Sequence, residues 1–482
     1  MFKIIKSCDK EFKIEVSNEV IHHMSEGLGF NWYSCYESNT YPAPDDEIRW
    51  KKIFDHVEWL NMQFFRFGQN SDLISDENGC FKPGHSSFSQ LKRLNAWAER
   101  KGVSILIDSW SIPKAFQFEP WEGAPHVHNN HQNGYSLGVK DINGYVNKFI
   151  IPYVKYVTEE MNCKAVVWFN HVNEPLCGTF TGTPPGVDKY ARYVEVLKAI
   201  RQGLDKAGLS KIGNMGPDTF SHKSEYWPIP HMLEVNADPD PFIEAYCMHQ
   251  YQSHFDWDCP SGYADDISIE PLSRTIETQV AKYSDYAHAH KKPYFITELG
   301  MFQFGNSNGD PAGVARHDTA LLEAEFIIRS LNKKVDGILR WAWLNPGIHD
   351  GWWQLINTTD GSDSPMMNTY YSYGTLMRYI DKGAGIFKSE VSHSSDIMGT
   401  VHAAAVINPD GSKSLYVIND AYADCAKVTI SFKELNAPVV KKIVNDAVRK
   451  HFDCGEINII GSDMEYEDVL SPMSLTVYTT RI

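Results

Sequence analysis

The sequence predicts an α/β protein, a closed (β/α)8 TIM barrel followed by a small C-terminal all-β sandwich. Short apolar segments bounded by turn residues alternate with longer segments of helical spacing over about 350 residues. Eight such strand segments occur, which favours a closed barrel over an open doubly wound sheet. No Gly-x-Gly-x-x-Gly motif follows the first of them, which argues against a dinucleotide-binding fold.

The barrel is expected to occupy residues 20–380, with each strand ending at the same rim. The predicted strands are Leu28–Tyr33, Phe64–Gly68, Val103–Asp108, Ala165–Asn170, Lys211–Met215, Ala245–His249, Tyr294–Glu298 and Gly337–Trp343. The predicted helices are Glu47–Leu60, Ser87–Lys101, Gly144–Met161, Val187–Ala207, Pro271–His290 and His317–Asn332.

The pattern changes near Tyr379, where helical spacing gives way to short alternating segments and turn signals. These predict a β-sandwich over residues 381–482. The N-terminal residues 1–19 contain the strand-like segment Phe12–Val16 and are a candidate additional strand of that sandwich. We expect the sandwich to support the barrel, since it has no obvious row of aromatic side chains for binding sugars.

Composition restricts the possible partners. Lys and Arg number 45 against 61 Asp and Glu, a net charge of −16, which argues against non-specific binding to nucleic acid or to an anionic membrane. The nine cysteines are scattered without a Cys-x-x-Cys, and the first residues do not resemble a secretory signal. These features predict a cytoplasmic protein; a secreted protein whose signal peptide has been removed is the alternative. The oligomeric state is not determined by the sequence.

Two predicted barrel strands end in a carboxylate. The fourth continues as Asn170-His171-Val172-Asn173-Glu174-Pro175, and the seventh ends Thr297-Glu298-Leu299-Gly300. Both carboxylates therefore reach the same rim from roughly opposite walls of the barrel. Glycoside hydrolysis needs such a pair, because one carboxyl group protonates the leaving oxygen while the other attacks the anomeric carbon.

With these motifs the sequence resembles the large clan of retaining glycoside hydrolases built on (β/α)8 barrels, clan A, and most closely its families 5 and 30. The resemblance covers roughly three quarters of the chain. It implies that Glu174 is the catalytic acid/base, that Asn173 binds the sugar 2-hydroxyl group and that Glu298 is the catalytic nucleophile.

Three further residues match the clan. Arg66 ends the second strand, where the clan places an arginine near the nucleophile, and a cation there keeps a carboxylate ionised. The sixth strand ends His249-Gln250-Tyr251, similar to the clan's His-x-Tyr, whose Tyr hydroxyl group donates to the nucleophile. We therefore expect Arg66, His249 and Tyr251 to lie in the substrate-binding site.

Tryptophans supply candidate platforms for sugar rings. Trp110 follows the third strand, where many members of family 5 carry a His, and this Trp is instead similar to family 30. Trp341 and Trp343 end the eighth strand, where the clan places a Trp as the floor of the sugar pocket. The period of two places both on one face, and Trp343 is preferred because it is nearer the rim.

The resulting hypothesis is a retaining β-glycosidase that acts by double displacement, with its two carboxyl groups roughly 5–5.5 Å apart. Two rim segments, Trp121–Tyr135 and Asp350–Gln354, are expected to wall off one end of the cleft and so favour exo action on short oligosaccharides or glycosides. An endo-acting β-glycanase and a transglycosylase are alternatives on the same barrel. A non-catalytic glycan-binding protein is the alternative of another class. No cofactor or metal is expected, since no metal-ligand spacing occurs.

Overall fold

The structure is a computed structural model, and it describes residues 10–33, 42–43, 45–121, 137–176, 183–220, 227–253, 275–302, 317–344, 355–357, 363–365, 367–393, 401–421 and 424–481. Its centre is a closed barrel of eight parallel strands, β2 to β9, which pair in chain order until β9 pairs with β2. The predicted (β/α)8 barrel is therefore confirmed.

The barrel strands are β2 Gly27–Tyr33, β3 Phe64–Gln69, β4 Ser104–Ser109, β5 Val166–Asn170, β6 Gly213–Phe220, β7 Ala245–Ser253, β8 Tyr294–Phe302 and β9 Gly337–Leu344. The first strand of the chain is β1 Lys10–His23, and a short pair after the barrel is β10 Ile356–Asn357 and β11 Ser364–Pro365. The C-terminal strands are β12 Gly385–His393, β13 Val401–Ile407, β14 Lys413–Asn419, β15 Ala426–Phe432, β16 Val439–Asp446, β17 Phe452–Asn458, β18 Met464–Leu470 and β19 Ser474–Thr479.

The described α-helices are α1 Glu47–Trp59, α2 Ser86–Lys101, α3 Ile142–Gly144, α4 Ile151–Lys155, α5 Lys189–Lys206, α6 Pro228–Glu234, α7 Ala281–Ala289, α8 His317–Leu331 and α9 Met367–Met377. Wider π-helical turns at Tyr145–Ile150, Tyr156–Glu160 and Thr275–Val280 extend the helical segments around α3, α4 and α7. None of the helices in these described parts is both long and apolar enough to cross a membrane.

Successive side chains of each barrel strand point alternately into the barrel and outward to the helices, so they form two apolar layers. Phe64, Leu106 and Phe295 are buried together inside the barrel. Their neighbours Phe65 and Ile107 face outward and pack in the layer between the strands and the helices. The interior is therefore a filled core, and the polar ends of the strands are left for the rim.

The C-terminal domain is one hydrogen-bonded sheet of nine strands in the order β17-β16-β19-β14-β13-β12-β1-β15-β18. It curls on itself, because Val440 of β16 and Ile430 of β15, near opposite ends of this order, lie in one apolar core. Across the same gap Lys442 pairs with Asp468 at 2.5 Å. The N-terminal strand β1 lies inside this sheet, antiparallel to β12 and parallel to β15.

A hydrogen-bonded carboxylate joins this sheet to the bottom of the barrel. Asp336, just before β9, is buried and accepts from His22 of β1 at 3.1 Å and from His288 of α7 at 2.8 Å. It also accepts from the backbone amides of Ser25 and Tyr294. The contacts connect β1 to the barrel on the side away from the strands' C-terminal ends.

Three barrel strands, β6, β7 and β8, extend well beyond their predicted ends, and the extension is longest in β6. The prediction ended the fifth barrel strand at Met215, whereas β6 continues through Gly216 and Pro217 to Phe220. A Gly-Pro pair in a sequence indicates a turn, since Pro donates no hydrogen bond to a strand ladder. In β6 the pairing with β7 shifts register between Pro217 and Thr219, and this irregularity carries Asp218 to the rim.

Candidate active site

The two predicted catalytic carboxylates meet at the C-terminal rim of the barrel. Glu174 lies four residues after the end of β5, and Glu298 lies within β8. A carboxylate oxygen of each lies within 4.8 Å of the other and of a nitrogen of His249. This spacing is that of retaining glycosidases, whose carboxyl groups lie about 5–5.5 Å apart; inverting enzymes leave roughly 6.5–9.5 Å for a water molecule.

Glu298 is buried among donors. Only 3% of it is exposed, one oxygen accepts from the Arg66 guanidinium, and the other accepts from the Tyr251 hydroxyl group at 2.6 Å. Burial raises the pKa of Glu298 above its usual value, and the charges of His249 and Arg66 together with the Tyr251 hydrogen bond oppose that rise. These donors therefore offset part of the cost of burying a charged carboxylate.

Glu174 is more open, with 23% of its side chain exposed. Its φ of 44° lies in the left-handed region that non-glycine residues rarely adopt. Two backbone hydrogen bonds hold this turn: Asn173 N–H donates to Ser109 O, and Glu174 N–H donates to Asp218 O, each at 3.1 Å. The chain after β5 is thus tied to the ends of β4 and β6.

His249 lies between the two glutamates. Its Nδ1 is 2.9 Å from Glu174 Oε1 and 3.4 Å from Glu298 Oε2, and its Nε2 is 3.3 Å from Asp218 Oδ1. Burial lowers the pKa of His249, but the charges of Glu298 and Asp218 outweigh it and raise the pKa to about 10. His249 is therefore an imidazolium at neutral pH.

The sequence reading missed a pair of buried aspartates beneath the glutamates. Asp108 and Asp218 accept from Nη2 of Arg66 at 2.5 and 3.0 Å, and both accept from Asn170. Asp218 also accepts from the Thr297 hydroxyl group. Asp108 ends a predicted strand and could have been noticed by the same rule that found Glu298.

The two aspartates differ in protonation. Burial raises the pKa of Asp108 to about 8 despite the charge of Arg66, so Asp108 carries its proton at neutral pH. Burial acts on Asp218 in the same direction, but the charges of Arg66 and His249 hold its pKa well below its usual value. Asp218 and Glu298 are therefore the two buried anions that balance the two cations of the site, Arg66 and His249.

Arg66 organises the predicted residues around itself. Besides Glu298 and the aspartates, it donates to Asn173 Oδ1 at 2.7 Å, and its guanidinium carbon lies 5.6 Å from the centroid of the Trp110 ring. The structure thus brings Asn173, Arg66, Trp110, His249, Tyr251 and Trp341 together around Glu174 and Glu298.

Trp343 does not join this group. It is 1% exposed, and its ring packs on Phe30 in the outer layer of the barrel. Trp341 instead stacks on Trp110, with ring centroids 5.2 Å apart. The preference for Trp343 over Trp341 is wrong, because the β2–β9 pairing shifts from Phe30–Arg340 to Trp32–Leu344 and breaks the period of two on which it depended.

The predicted rim segments Trp121–Tyr135 and Asp350–Gln354 lie, apart from Trp121, outside the described residues. Among the described residues, three groups bring His and carboxylate atoms close enough to hold a metal ion. One is Glu174, His249 and Glu298 itself; the others are His22, His288 and Asp336, and Glu325, His402 and Asp420. In the first group the charged ring of His249 already occupies the position of a cation between the carboxylates.

The spacing of the two carboxylates, at the rim of this barrel, places the protein among the retaining glycoside hydrolases. The model of the cellulase family, glycosyl hydrolase family 5, matches residues 26–347, and the chain belongs to that family.

Among curated proteins the chain is similar to endo-1,6-beta-D-glucanase neg1 of Aspergillus fumigatus. The two are 23% identical over 385 residues, which cover 76% of this chain and 70% of that protein.

Solved structures share the fold over nearly the whole chain. A family 30 endoxylanase from Clostridium papyrosolvens C71 superposes with a TM-score of 0.65 at 14% identity, covering 97% of this chain and 99% of that chain. A glucosidase from Croceicoccus marinus superposes with a TM-score of 0.63 at 13% identity, covering 99% and 100%. The barrel and the C-terminal β-domain therefore occur together in these structures as in this chain.

Proposed function

We propose that this enzyme is an endo-acting β-glucanase, with β-1,6-linked glucan as its substrate and with Glu298 as nucleophile and Glu174 as acid/base. The position of His249 between Glu174 and Glu298 carries the catalytic assignment, because it holds the two carboxylates at the spacing that double displacement needs.

The two carboxylates differ in the way that these roles require. Glu298 is buried and accepts from Arg66 and Tyr251, contacts that favour the ionised form needed for attack. Glu174 is the more exposed of the two, where it can reach both the leaving group and water. The difference in environment supports one nucleophile and one proton donor.

In the first step, an oxygen of Glu298 forms a bond to the anomeric carbon while the bond from that carbon to the leaving oxygen breaks. Glu174 gives its proton to the leaving oxygen and becomes a carboxylate. In the second step, Glu174 takes a proton from water, whose oxygen attacks the anomeric carbon and releases Glu298. The sugar keeps its β configuration after two inversions.

Endo action differs from the exo action that the sequence favours. The exo prediction depended on the segments Trp121–Tyr135 and Asp350–Gln354, which lie almost entirely outside the described residues. The similar protein of Aspergillus fumigatus and the family 30 neighbour of Clostridium papyrosolvens are both named as endo-acting enzymes. The first of these names also supports the β-1,6 linkage.

The test is a time course of products from soluble β-1,6-glucan, with β-1,3-glucan, β-1,4-glucan and β-1,4-xylan as comparison substrates. We expect fragments of intermediate length to appear first from β-1,6-glucan, together with an early fall in viscosity. Steady release of monosaccharide from the first minutes would overturn endo action. Faster cleavage of another polymer would overturn the assigned linkage while leaving the glycosidase mechanism intact.

A further inference from the structure

Asp218 is a buried acidic residue that double displacement does not use. It is fully buried at the end of β6, on the far side of His249 from the two glutamates. Its φ of 46° lies in the left-handed region, as does that of Glu174. A strained, charged and solvent-free residue persists only when its surroundings hold it there, and such residues cluster at functional sites.

Two independent contacts connect Asp218 to Glu174. Its backbone carbonyl accepts from the Glu174 amide at 3.1 Å, which fixes the turn that carries the acid. Its side chain lies 3.3 Å from His249 Nε2, and Nδ1 of the same ring lies 2.9 Å from Glu174 Oε1. Asp218 is itself held by Arg66, Asn170 and Thr297 from three other strands.

We propose that Asp218 is a positioning residue for the acid/base step, which keeps both ring nitrogens of His249 protonated and so fixes the oxygen on which Glu174 carries its proton. The inference rests on the acid/base role proposed for Glu174.

The reason is the direction of one hydrogen bond. When His249 is an imidazolium, Nδ1–H donates to Glu174 Oε1, and the acidic proton of Glu174 must lie on Oε2. When the ring is neutral with its proton on Nε2, Nδ1 becomes an acceptor and draws the proton of Glu174 to Oε1, toward the ring. The anion at Asp218 favours the charged ring. With the charged ring, the proton that Glu174 donates in the first step lies on Oε2, away from the ring.

Other titratable groups share the site with the His249 ring. Glu174 and Glu298 contact its Nδ1, and Tyr251, Arg66 and Asp108 lie in the same hydrogen-bonded network. Glu298 favours the charged ring as Asp218 does. During reaction, however, Glu298 becomes a neutral ester, and Asp218 is then the buried anion that remains beside Nε2.

The experiment compares Asp218→Asn with Asp108→Asn in the full chain. Both residues are fully buried, and both accept hydrogen bonds from Arg66 and Asn170. Each variant removes a carboxyl group that contacts Arg66, but only Asp218→Asn removes the carboxyl group beside His249 Nε2. The comparison therefore distinguishes the effect on His249 from the effect on Arg66. Because the pKa of Asp108 is about 8, that residue is protonated at neutral pH and Asn is its close substitute.

The first measurement is NMR of the histidine-labelled protein, with the His249 signals assigned from His249→Asn. In the wild type we expect an imidazolium at pH 8; a neutral ring at that pH would overturn the proposal without any variant having to fold. In Asp218→Asn the pKa of His249 should fall by at least about one unit. In Asp108→Asn it should stay within about half a unit of the wild type.

The second measurement is kcat/KM on a glucan oligosaccharide, whose leaving group needs protonation, and on an aryl β-glycoside with a good leaving group. Asp218→Asn should lower kcat/KM about 10²-fold on the oligosaccharide and much less on the aryl glycoside. The alkaline limb of its pH profile should move to lower pH than in the wild type. Equal losses on both substrates would mean a structural role only. If Glu174→Gln lost activity equally on both substrates, the acid/base role of Glu174 itself would be wrong. If Glu174→Gln lost much more on the oligosaccharide than on the aryl glycoside while Asp218→Asn lost equally on both, only this inference would be overturned.

Discussion

Trp110 stacks on Trp341, with ring centroids 5.2 Å apart and ring planes inclined by 29°. The pair joins the segment after β4 to β9 and lies beside Arg66, which donates to Glu298. Trp341 is only partly buried. An aromatic face at this position can receive the C–H face of a sugar ring next to the nucleophile.

We predict that Trp341→Ala raises KM for a glucan oligosaccharide about tenfold, since a ring contact of this kind contributes roughly 1–2 kcal/mol. The melting temperature should change little. The matched variant is Trp343→Ala, which empties a fully buried position against Phe30 and should cost about 3–5 kcal/mol of unfolding free energy. Steady-state kinetics and thermal unfolding of both variants decide the assignment; a larger KM effect at Trp343 would reverse it.

The proposed roles of the two glutamates predict different losses. Glu298→Ala should lose about 10⁴-fold or more on every substrate. Glu174→Ala should retain activity on aryl glycosides with very good leaving groups, which need little protonation. Added azide should rescue Glu174→Ala with a β-glycosyl azide as product, because the covalent intermediate still forms on Glu298.

The control for these two variants is Glu77→Ala, which removes an exposed carboxylate and should keep full activity. Azide rescue of Glu298→Ala with a β-configured product would contradict the assignment, as would a Glu174→Ala variant that is inactive on every leaving group.

The activity should depend on pH through Glu298. Only the ionised carboxylate attacks, so activity is lost as pH falls through its pKa, and burial raises that pKa above the usual value. On an activated aryl glycoside, the acid limb of kcat/KM should therefore lie above about pH 4.3, the ordinary value for glutamate. His249→Asn removes a cation 3.4 Å from Glu298 and should move this limb to still higher pH. A limb that moved to lower pH would show that His249 does not stabilise the ionised form.

Asp336 should matter for stability and not for chemistry. Burial would raise its pKa, but hydrogen bonds from His22 and His288 lower it below the usual value. An aspartate with a lowered pKa stabilises the fold above its unfolded pKa, and that contribution is lost as pH falls through the folded value. Asp336→Asn should therefore cost about 3 kcal/mol of unfolding free energy at pH 7 and much less at acid pH.

Denaturant unfolding at several pH values measures this effect, with the exposed Asp285→Asn on the neighbouring helix α7 as the matched control. Asp285→Asn should stay within about 0.5 kcal/mol of the wild type. An equal loss in both variants would mean that the contact between β1 and the barrel contributes no specific stability.

Strand number, strand order and the residues at strand ends could be predicted from the sequence because these depend on local patterns. Glu298 ends an apolar run, and Asn173 and Glu174 follow one, so the parallel order of the barrel was enough to place them at one rim. The N-terminal segment around Phe12 was also recognisable as a strand, since its period of two is local.

Asp218 and the choice between Trp341 and Trp343 needed the tertiary structure. In both cases a strand departs from regular register. The pairing of β6 with β7 shifts after Pro217, and the pairing of β2 with β9 shifts after Phe30. A sequence pattern assumes a regular pleat, so it assigns a side chain to the wrong face wherever neighbouring strands impose an irregularity.

The sequence by itself therefore determined the barrel and the two rim carboxylates, because each depends on apolar periodicity along one segment. Only the tertiary structure decided their electrostatics. The protonation of His249, Asp108 and Asp218 follows from charges that five different strands bring within hydrogen-bonding distance. These three side chains are fully buried, and burial strengthens the interactions between them.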